Sequence, residues 1–426
     1  MKFTDNRYQA YLNILNEELI PAMGCTEPIS IAYAAARARE ILGVLPDRVL
    51  VEASRNIIKN VKSVVVPNTG GLKGIEASAV AGIVAGDADR VLEVIASIDD
   101  AGRKGIKSFL DTKEVAVAET KSGLIFDLVV SVFAGEESAS VQISHYHTNI
   151  VLIKKNGEVF SQHQQCDDIK VINLTDRSIM SIKDILDFAE TVDLEDVEDL
   201  LQHQIDYNMA IAVEGLKGDW GANVGSVLLE FWGNDVKIRA KALAAAGSDA
   251  RMSGCDLPVM IVSGSGNQGL TVSIPVIEYA KELKSDRETL LRALLVSNLV
   301  AIHLKTGIGR LSAYCGVVSA GCAAGAGIAW LHGGRFEVVA HTIVNALASV
   351  SGIICDGAKP SCAAKISAAV DAGILGFLMF EKGQQFYGGD GIVSKGVENT
   401  INNIARLAHE GMKETDKEII RIMLGE

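Results

Sequence analysis

The sequence predicts an α+β fold, a mainly helical, Gly/Ala-packed body interrupted by an antiparallel β-rich segment. Three observations predict it. Between about Lys113 and Val171 the runs EVAVAET, LIFDLVVSVFA, SASVQISHY, NIVLIKKNG and EVFSQ alternate or are β-branched, with turn signals at Lys121–Gly123 and Asn156–Gly157. On either side of that segment apolar residues recur at helical spacing. The chain also holds 41 glycines, many in loops between Ala-rich stretches, which suits helices in close contact.

In chain order, Tyr8, Tyr11, Leu12, Ile14, Leu15 and Leu19 give an amphipathic helix over about Asp5–Ile20. The turn PAMGCTEP leads to a second helix through ISIAYAAARAREIL, with Pro28 in its first turn and Thr26 or Glu27 near the cap. Arg48–Ala53 and Ser63–Pro67 read as short strands, and the loop NTGGLKG precedes an Ala-rich helix near Ile75–Ala85. After the β-rich segment, Ser181–Gln202 reads as one acidic amphipathic helix whose LEDVEDLLQHQ run is a solvated face. The rest is helical to Glu426, punctuated by AAAGSDARMSG, SGSGNQG, KTGIGR, ICDGAKPSC and YGGDGIVSKG. The expected organisation is a helical catalytic body over 1–110 and 181–426, with a β-rich subdomain, 111–180, inserted into it.

Composition excludes several classes of function. Of 426 residues, 48% are hydrophobic and 22% charged, as in a well-packed globule. The 40 Lys+Arg against 53 Asp+Glu give a net charge of −13. Phosphate binding needs a basic face, so nucleic acid is not the expected partner; a small anionic substrate needs only a local positive site. The N-terminus lacks a basic region followed by an apolar core, so no signal peptide is expected. Leu311–Gly334 and Val338–Cys355 are free of Asp, Glu, Lys and Arg, but they are rich in Gly, Ala and Ser. Buried helices, not membrane spans, are expected there. Seven cysteines, an odd number, favour thiol or metal chemistry in the cytoplasm over disulfides. The Gly/Ala-rich faces would also suit a homodimer.

The cysteines are Cys25, Cys166, Cys255, Cys315, Cys322, Cys355 and Cys362. None has the CxxC-like spacing of a zinc module, whereas an iron–sulfur cluster accepts thiolates from more widely spaced loops and helix ends. Cys315 follows the loop KTGIGRLSAY and opens an Ala/Gly helix, while Cys355 and Cys362 bracket CDGAKPSC, and Cys362 opens the helix AAKISAAVDAGILGFLMF. Arg310, Lys359 and Lys365 stand near enough in sequence to balance thiolate charge. Free cysteine also fills small apolar spaces, the reading preferred for Cys322 in AGCAAGAGIAW. For Cys315, Cys355 and Cys362 both readings stay open on composition alone. Cys255, in SGCDLP, is close enough to a glycine loop to line a site.

Cys25 sits in GCTEP just ahead of a helix, where the pKa of a thiol is expected to fall; a base, a nucleophile and a small residue in a tight turn are all compatible with it. SGSGNQG offers Ser265, Asn267, Gln268 and backbone N–H groups as a carboxylate cradle, although it matches no phosphate-binding motif. Lys59, Asn60, Lys62 and Thr69 are further anion-binding candidates, with Lys359 as a substrate-binding candidate beside the last cysteines. His145 and His147 in HYHTN have a metal-like spacing, but alternate positions of a strand produce it too, and hydrogen-bonded surface histidines are the preferred reading.

PAMGCTEP, HTNI, RMSGCDLPVM, SGSGNQGL, KTGIGRLSAYCGVVSAGC and SGIICDGAKPSCAAK together resemble the L-cysteine desulfidase family, also called serine dehydratase alpha-chain-like, over essentially the whole chain. The C-terminal part is similar to the catalytic domain of iron–sulfur L-serine dehydratases, although the loop from Cys355 to Cys362 is shorter than the dehydratase form. The resemblance implies a 4Fe–4S cluster held by Cys315, Cys355 and Cys362, with one iron lacking a protein ligand, and Cys25 as proton acceptor. It implies α,β-elimination of L-cysteine with water to pyruvate, ammonia and hydrogen sulfide, without pyridoxal phosphate. Two alternatives share these residues: an L-serine dehydratase with the same cluster, and a non-catalytic iron–sulfur sensor of cysteine or sulfide, which needs no base.

Overall fold

The computed structural model describes residue 1, residues 5–162 and residues 174–425; Cys166 lies outside them. The N-terminal part runs α1 (Asn6–Glu18), β1 (Ile20–Met23), α2 (Thr26–Leu42), β2 (Arg48–Ala53), α3 (Arg55–Val61), α4 (Gly74–Ala85) and α5 (Asp100–Thr112). Five strands follow: β3 (Glu114–Glu119), β4 (Asp127–Ala134), β5 (Glu137–Ser144), β6 (Ile150–Lys155) and β7 (Glu158–Gln162). Then come α6 (Ile182–Thr191), α7 (Glu198–Lys217), α8 (Val224–Trp232), α9 (Val236–Met252), β8 (Pro258–Ile261), α10 (Gly266–Leu283) and α11 (Arg287–Thr306). The chain ends in α12 (Gly316–Leu331), α13 (Phe336–Val350), α14 (Cys362–Glu381), α15 (Val397–Arg406) and α16 (Lys413–Leu424). The fold is α+β.

The larger sheet has six strands in the order β3-β2-β4-β5-β6-β7. β2 lies parallel to β3 and antiparallel to β4, so the sheet is mixed and takes a strand from outside 111–180. A parallel neighbour needs a long crossover, and α3, α4 and α5 supply it. Val49, Val51 and Ala53 of β2 are buried, and α2 packs across β4 and β5. A two-stranded antiparallel sheet, β1 with β8, pairs Ile20 with Ile261 and ties the turn before α2 to the segment that leads into α10.

Three local expectations differ from the fold. Ser63–Pro67 contributes only the bridge Val65–Lys73, because Asn68, Gly70 and Gly71 adopt positive φ and fold the chain back. Ser181–Gln202 splits into α6 and the start of α7, since Asp193 caps a short 3₁₀ turn between them. HYHTN is not strand: β5 ends at Ser144, and His145 has φ 70° in the turn that follows.

In the C-terminal half, α12 packs against α10, α11, α13 and α14. A Cβ on Gly321 would lie 2.4 Å from the Ala369 carbonyl group, and one on Gly373 would lie 2.1 Å from the Gly321 oxygen. The two backbones therefore touch, and only glycine permits it. The Gly/Ala faces are used here within the chain. The charge-free stretches form α12 and α13, both largely buried. Among the described residues α11 and α14 are long and apolar enough to cross a membrane, with 72% and 56% of their apolar windows buried inside the protein.

Candidate active site

Cys315 and Cys355 are set side by side by the backbone. The Cys315 N–H donates to the Ile353 carbonyl at 3.1 Å and the Cys355 N–H to Ala313 at 2.6 Å, around the bridge between Tyr314 and Ile354. Cys315 is the N-cap of α12 and Cys362 is the first residue of α14, so the α12–α14 contact fixes where both begin. Between Cys355 and Cys362, Gly357 has φ 90° and passes so close to α3 that a Cβ would lie 2.5 Å from the Lys59 carbonyl oxygen. The Cys362 Sγ lies 3.8 Å from the Gly357 carbonyl oxygen.

The three thiols line one cavity of about 100 Å³. A hydrogen bond from the Cys315 thiol to the Cys355 sulfur pushes Cys315 up and Cys355 down; Lys59, the Gly357 N–H and Lys305 favour the Cys355 thiolate, against its burial. Burial pushes Cys362 up. Burial also lowers Lys305 to about 8, against the pull of Cys355 and Cys315. The Lys59 side chain is 1% exposed and pairs with Asp416 at 2.6 Å.

Cys25, Thr26 and Glu27 at the start of α2 line the same cavity. The β1–β8 pairing brings this turn beside the Ser263–Gly264 turn, where both residues have positive φ, and the Thr26 hydroxyl donates to the Gly264 carbonyl at 2.8 Å. Cys25 packs with Val64, Met252, Ala358 and Cys362. Its thiol lies 3.3 Å from Glu27 Oε2, and Asn60 Nδ2 donates to Glu27 Oε1 at 2.9 Å. Burial, followed by the Glu27 charge, pushes the Cys25 thiol well up, although Arg251 pulls it down. The lowering expected at a helix start is therefore reversed, because the same turn carries a buried carboxylate. Burial alone would raise Glu27; His147, Cys25 and the helix-start backbone outweigh it and hold Glu27 down to about 2. His147 Nε2 is 3.7 Å from Glu27 Oε1, longer than a hydrogen bond.

Four buried polar atoms on residues of this cavity have no hydrogen-bond partner: Asn60 Oδ1, His147 Nε2, Arg251 Nε and Gln268 Oε1. Buried polar groups are ordinarily satisfied, so their concentration at one small cavity marks a ligand site. Among the described residues no three His, Cys, Asp or Glu side chains form a site for a single metal ion. The donor set fits a larger, thiolate-bound group instead, with three sulfurs from three segments and two buried lysines beside them.

The other candidates divide clearly. Ser265, Asn267, Gln268, Lys59, Asn60 and Arg310 line the cavity. Arg310 also bonds Glu18 at 2.9 Å and stacks over Tyr146. Lys62 reaches the Met423 carbonyl, and Lys359 bonds the Asp356 and Gly357 carbonyls, so neither lines the cavity. Lys365 pairs with Asp356, and Thr69 bonds the Val66 carbonyl. Cys322 is fully buried within α12. Cys255 is buried in the main core and does not line the cavity, because the β8 strand carries the chain away before the glycine loop begins. His147 is buried and faces the site, unlike the surface histidine expected, whereas His145 lines a neighbouring cavity.

Sequence reasoning did not single out Glu27, Arg251 or Lys305 as site residues. Glu27 was visible as an acid in the first turn beside Cys25, and Lys305 as the first residue of KTGIGR; Arg251 gave no local signal.

The chain matches the serine dehydratase alpha chain family over residues 78–421. A UPF0597 protein of Desulfitobacterium hafniense is 62% identical over 426 residues, 100% of this chain and 99% of that one. Others, from Lachnoclostridium phytofermentans (98% of this chain, 100% of that one) and Treponema denticola (100% of each), are 52% and 47% identical over 419 and 431 residues. These likenesses make the protein a serine dehydratase-like lyase. The chain belongs to the serine dehydratase alpha chain family, known for iron–sulfur-dependent enzymes.

Proposed function

We propose that this protein eliminates hydrogen sulfide from L-cysteine in an iron–sulfur-dependent reaction without pyridoxal phosphate, giving pyruvate and ammonia after water is added. The observation that carries the reading is the convergence of Cys315, Cys355 and Cys362 on a cavity that Cys25 also lines. The three cysteines would hold a 4Fe–4S cluster. When bound, that cluster supplies a Lewis acid, at an iron without a protein ligand, that stabilises the departing anion.

The chain supplies the remaining functions. Cys25 is the base: once ionised, its sulfur takes the α-proton while the Cα–H electron pair forms the new double bond and HS⁻ leaves Cβ. Glu27 accepts from the Cys25 thiol and fixes where its sulfur points. Val64, Met252 and Ala358 keep water from that side of the sulfur. Lys59 and Lys305 offset negative charge at Cys355. The product of the elimination, 2-aminoacrylate, tautomerises and hydrolyses without further catalytic groups.

The family match favours a second reading, dehydration of L-serine by the same residues with water as leaving group. A soft sulfur leaving group suits iron better than a hydroxyl group does, which favours cysteine. The test is turnover of both amino acids by iron-loaded, anaerobically prepared protein, following sulfide and pyruvate. A higher kcat/KM for L-cysteine, with one sulfide per pyruvate, supports the first reading. A higher kcat/KM for L-serine replaces it with the second, and turnover of neither removes both.

A further inference from the structure

We propose that Arg251 receives the α-carboxylate of the substrate, with Asn60 and Gln268 accepting from its α-ammonium group. The assignment deepens the elimination reading above and rests on it for the identity of the ligand.

Arg251 lies in the last turn of α9 and is 2% exposed. Among the described residues its guanidinium group has no carboxylate within ion-pair distance. Its one side-chain bond runs from Nη1 to the neutral Asn267 Oδ1 at 3.1 Å, and Nε has no partner. The nearby acids are committed elsewhere. Asp249 caps α8 by accepting from Ala222 and Val224 N–H groups. Glu27 is occupied by Asn60 and Cys25. An arginine does not lose its proton in a protein, so a buried guanidinium without an anion is a site prepared for one.

The position is built. A Cβ on Gly266 would lie 2.3 Å from Arg251 Nε, so this glycine makes room for the side chain, and Asn267 beside it orients the fork. Gly266 also begins α10, whose first N–H groups add to the positive end of the site. A planar carboxylate matches the guanidinium fork. Asn60 Oδ1 and Gln268 Oε1, both buried acceptors lacking donors, line the same cavity and match an ammonium group. The ligand class is therefore a small zwitterionic α-amino acid; amines and amides without the carboxylate are excluded.

The test is equilibrium binding to iron-loaded protein of L-alanine, which has no leaving group, beside L-alaninamide and ethylamine, which lack the carboxylate. Wild type should bind L-alanine about a hundredfold more tightly than either. Arg251→Gln should lose most of that preference with iron content unchanged, and Arg251→Lys should recover part of it. A purely structural role for Arg251 would weaken all three ligands alike. Equal binding of the three by wild type overturns the proposal even if the variants do not fold, as does an undiminished L-alanine preference in Arg251→Gln. Because binding is read without turnover, failure of the elimination reading shows separately, as L-alanine preference without sulfide or pyruvate formation.

Discussion

The Cys25 thiol donates to the Glu27 carboxylate across 3.3 Å within the first turn of α2. Two residues apart in sequence, the pair couples the proposed base to a carboxylate that Asn60 holds in place. Burial and this negative neighbour keep Cys25 protonated at rest. It becomes a base only by losing that proton, so the turn orients the sulfur more than it activates it.

Replacing Cys25 should separate chemistry from cofactor binding. Cys25→Ala should lower kcat by about 10²–10⁴-fold, the usual contribution of a positioned base, and leave iron content at the wild-type value. Parallel iron analysis and sulfide assays check both halves. Unchanged turnover of L-cysteine would instead remove Cys25 as the base.

Cys322 lies seven positions beyond Cys315 but is buried within α12, away from the cavity. Cys322→Ala should keep iron content and activity, at a cost of about 1 kcal/mol from the small void, read as a modest fall in the thermal midpoint.

The α12–α14 crossing should govern the site from a distance. Gly373→Ala places a Cβ 2.1 Å from the Gly321 carbonyl oxygen, so the helices must separate. Destabilisation of about 1–3 kcal/mol is expected from such overpacking. Because Cys315 and Cys362 stand at the starts of these helices, iron retention should fall with it. Denaturant unfolding and iron analysis of one preparation read both effects.

The pH dependence of stability should include a contribution from Glu398, which joins α15 to His303 of α11 at 2.8 Å. Burial alone would raise its carboxyl; His303 and the Ile182 N–H outweigh burial and lower it below the ordinary 4.5. A carboxyl lowered in the folded state stabilises above its unfolded value, and that contribution is lost as pH falls through the folded one. With the side chain 40% exposed, solvent screening limits it to under about 1 kcal/mol. Glu398→Gln should lower the thermal midpoint slightly at neutral pH and flatten its fall below pH about 4.5.

Much of the fold was legible because it is written in local pattern. The β2 boundaries, the Asn156–Gly157 turn and the cysteines at the starts of α12 and α14 follow from alternation, turn residues and glycine loops. The parallel partner of β2 was not legible, because strand pairing depends on where a crossover returns. His147 misled for a related reason: its spacing from His145 suits a strand, but φ 70° at His145 turns the chain and buries His147 against Glu27. Arg251 was hidden because its significance lies in having no acidic partner, a property of packing and not of sequence.

The most direct measurement is the iron and acid-labile sulfide content of anaerobically prepared protein, compared with a variant in which Cys315, Cys355 and Cys362 are all serine. The account predicts about four of each per wild-type chain and none in the folded variant. Equal contents in the two proteins, or a wild type reconstituted under reducing conditions that binds neither, would contradict it.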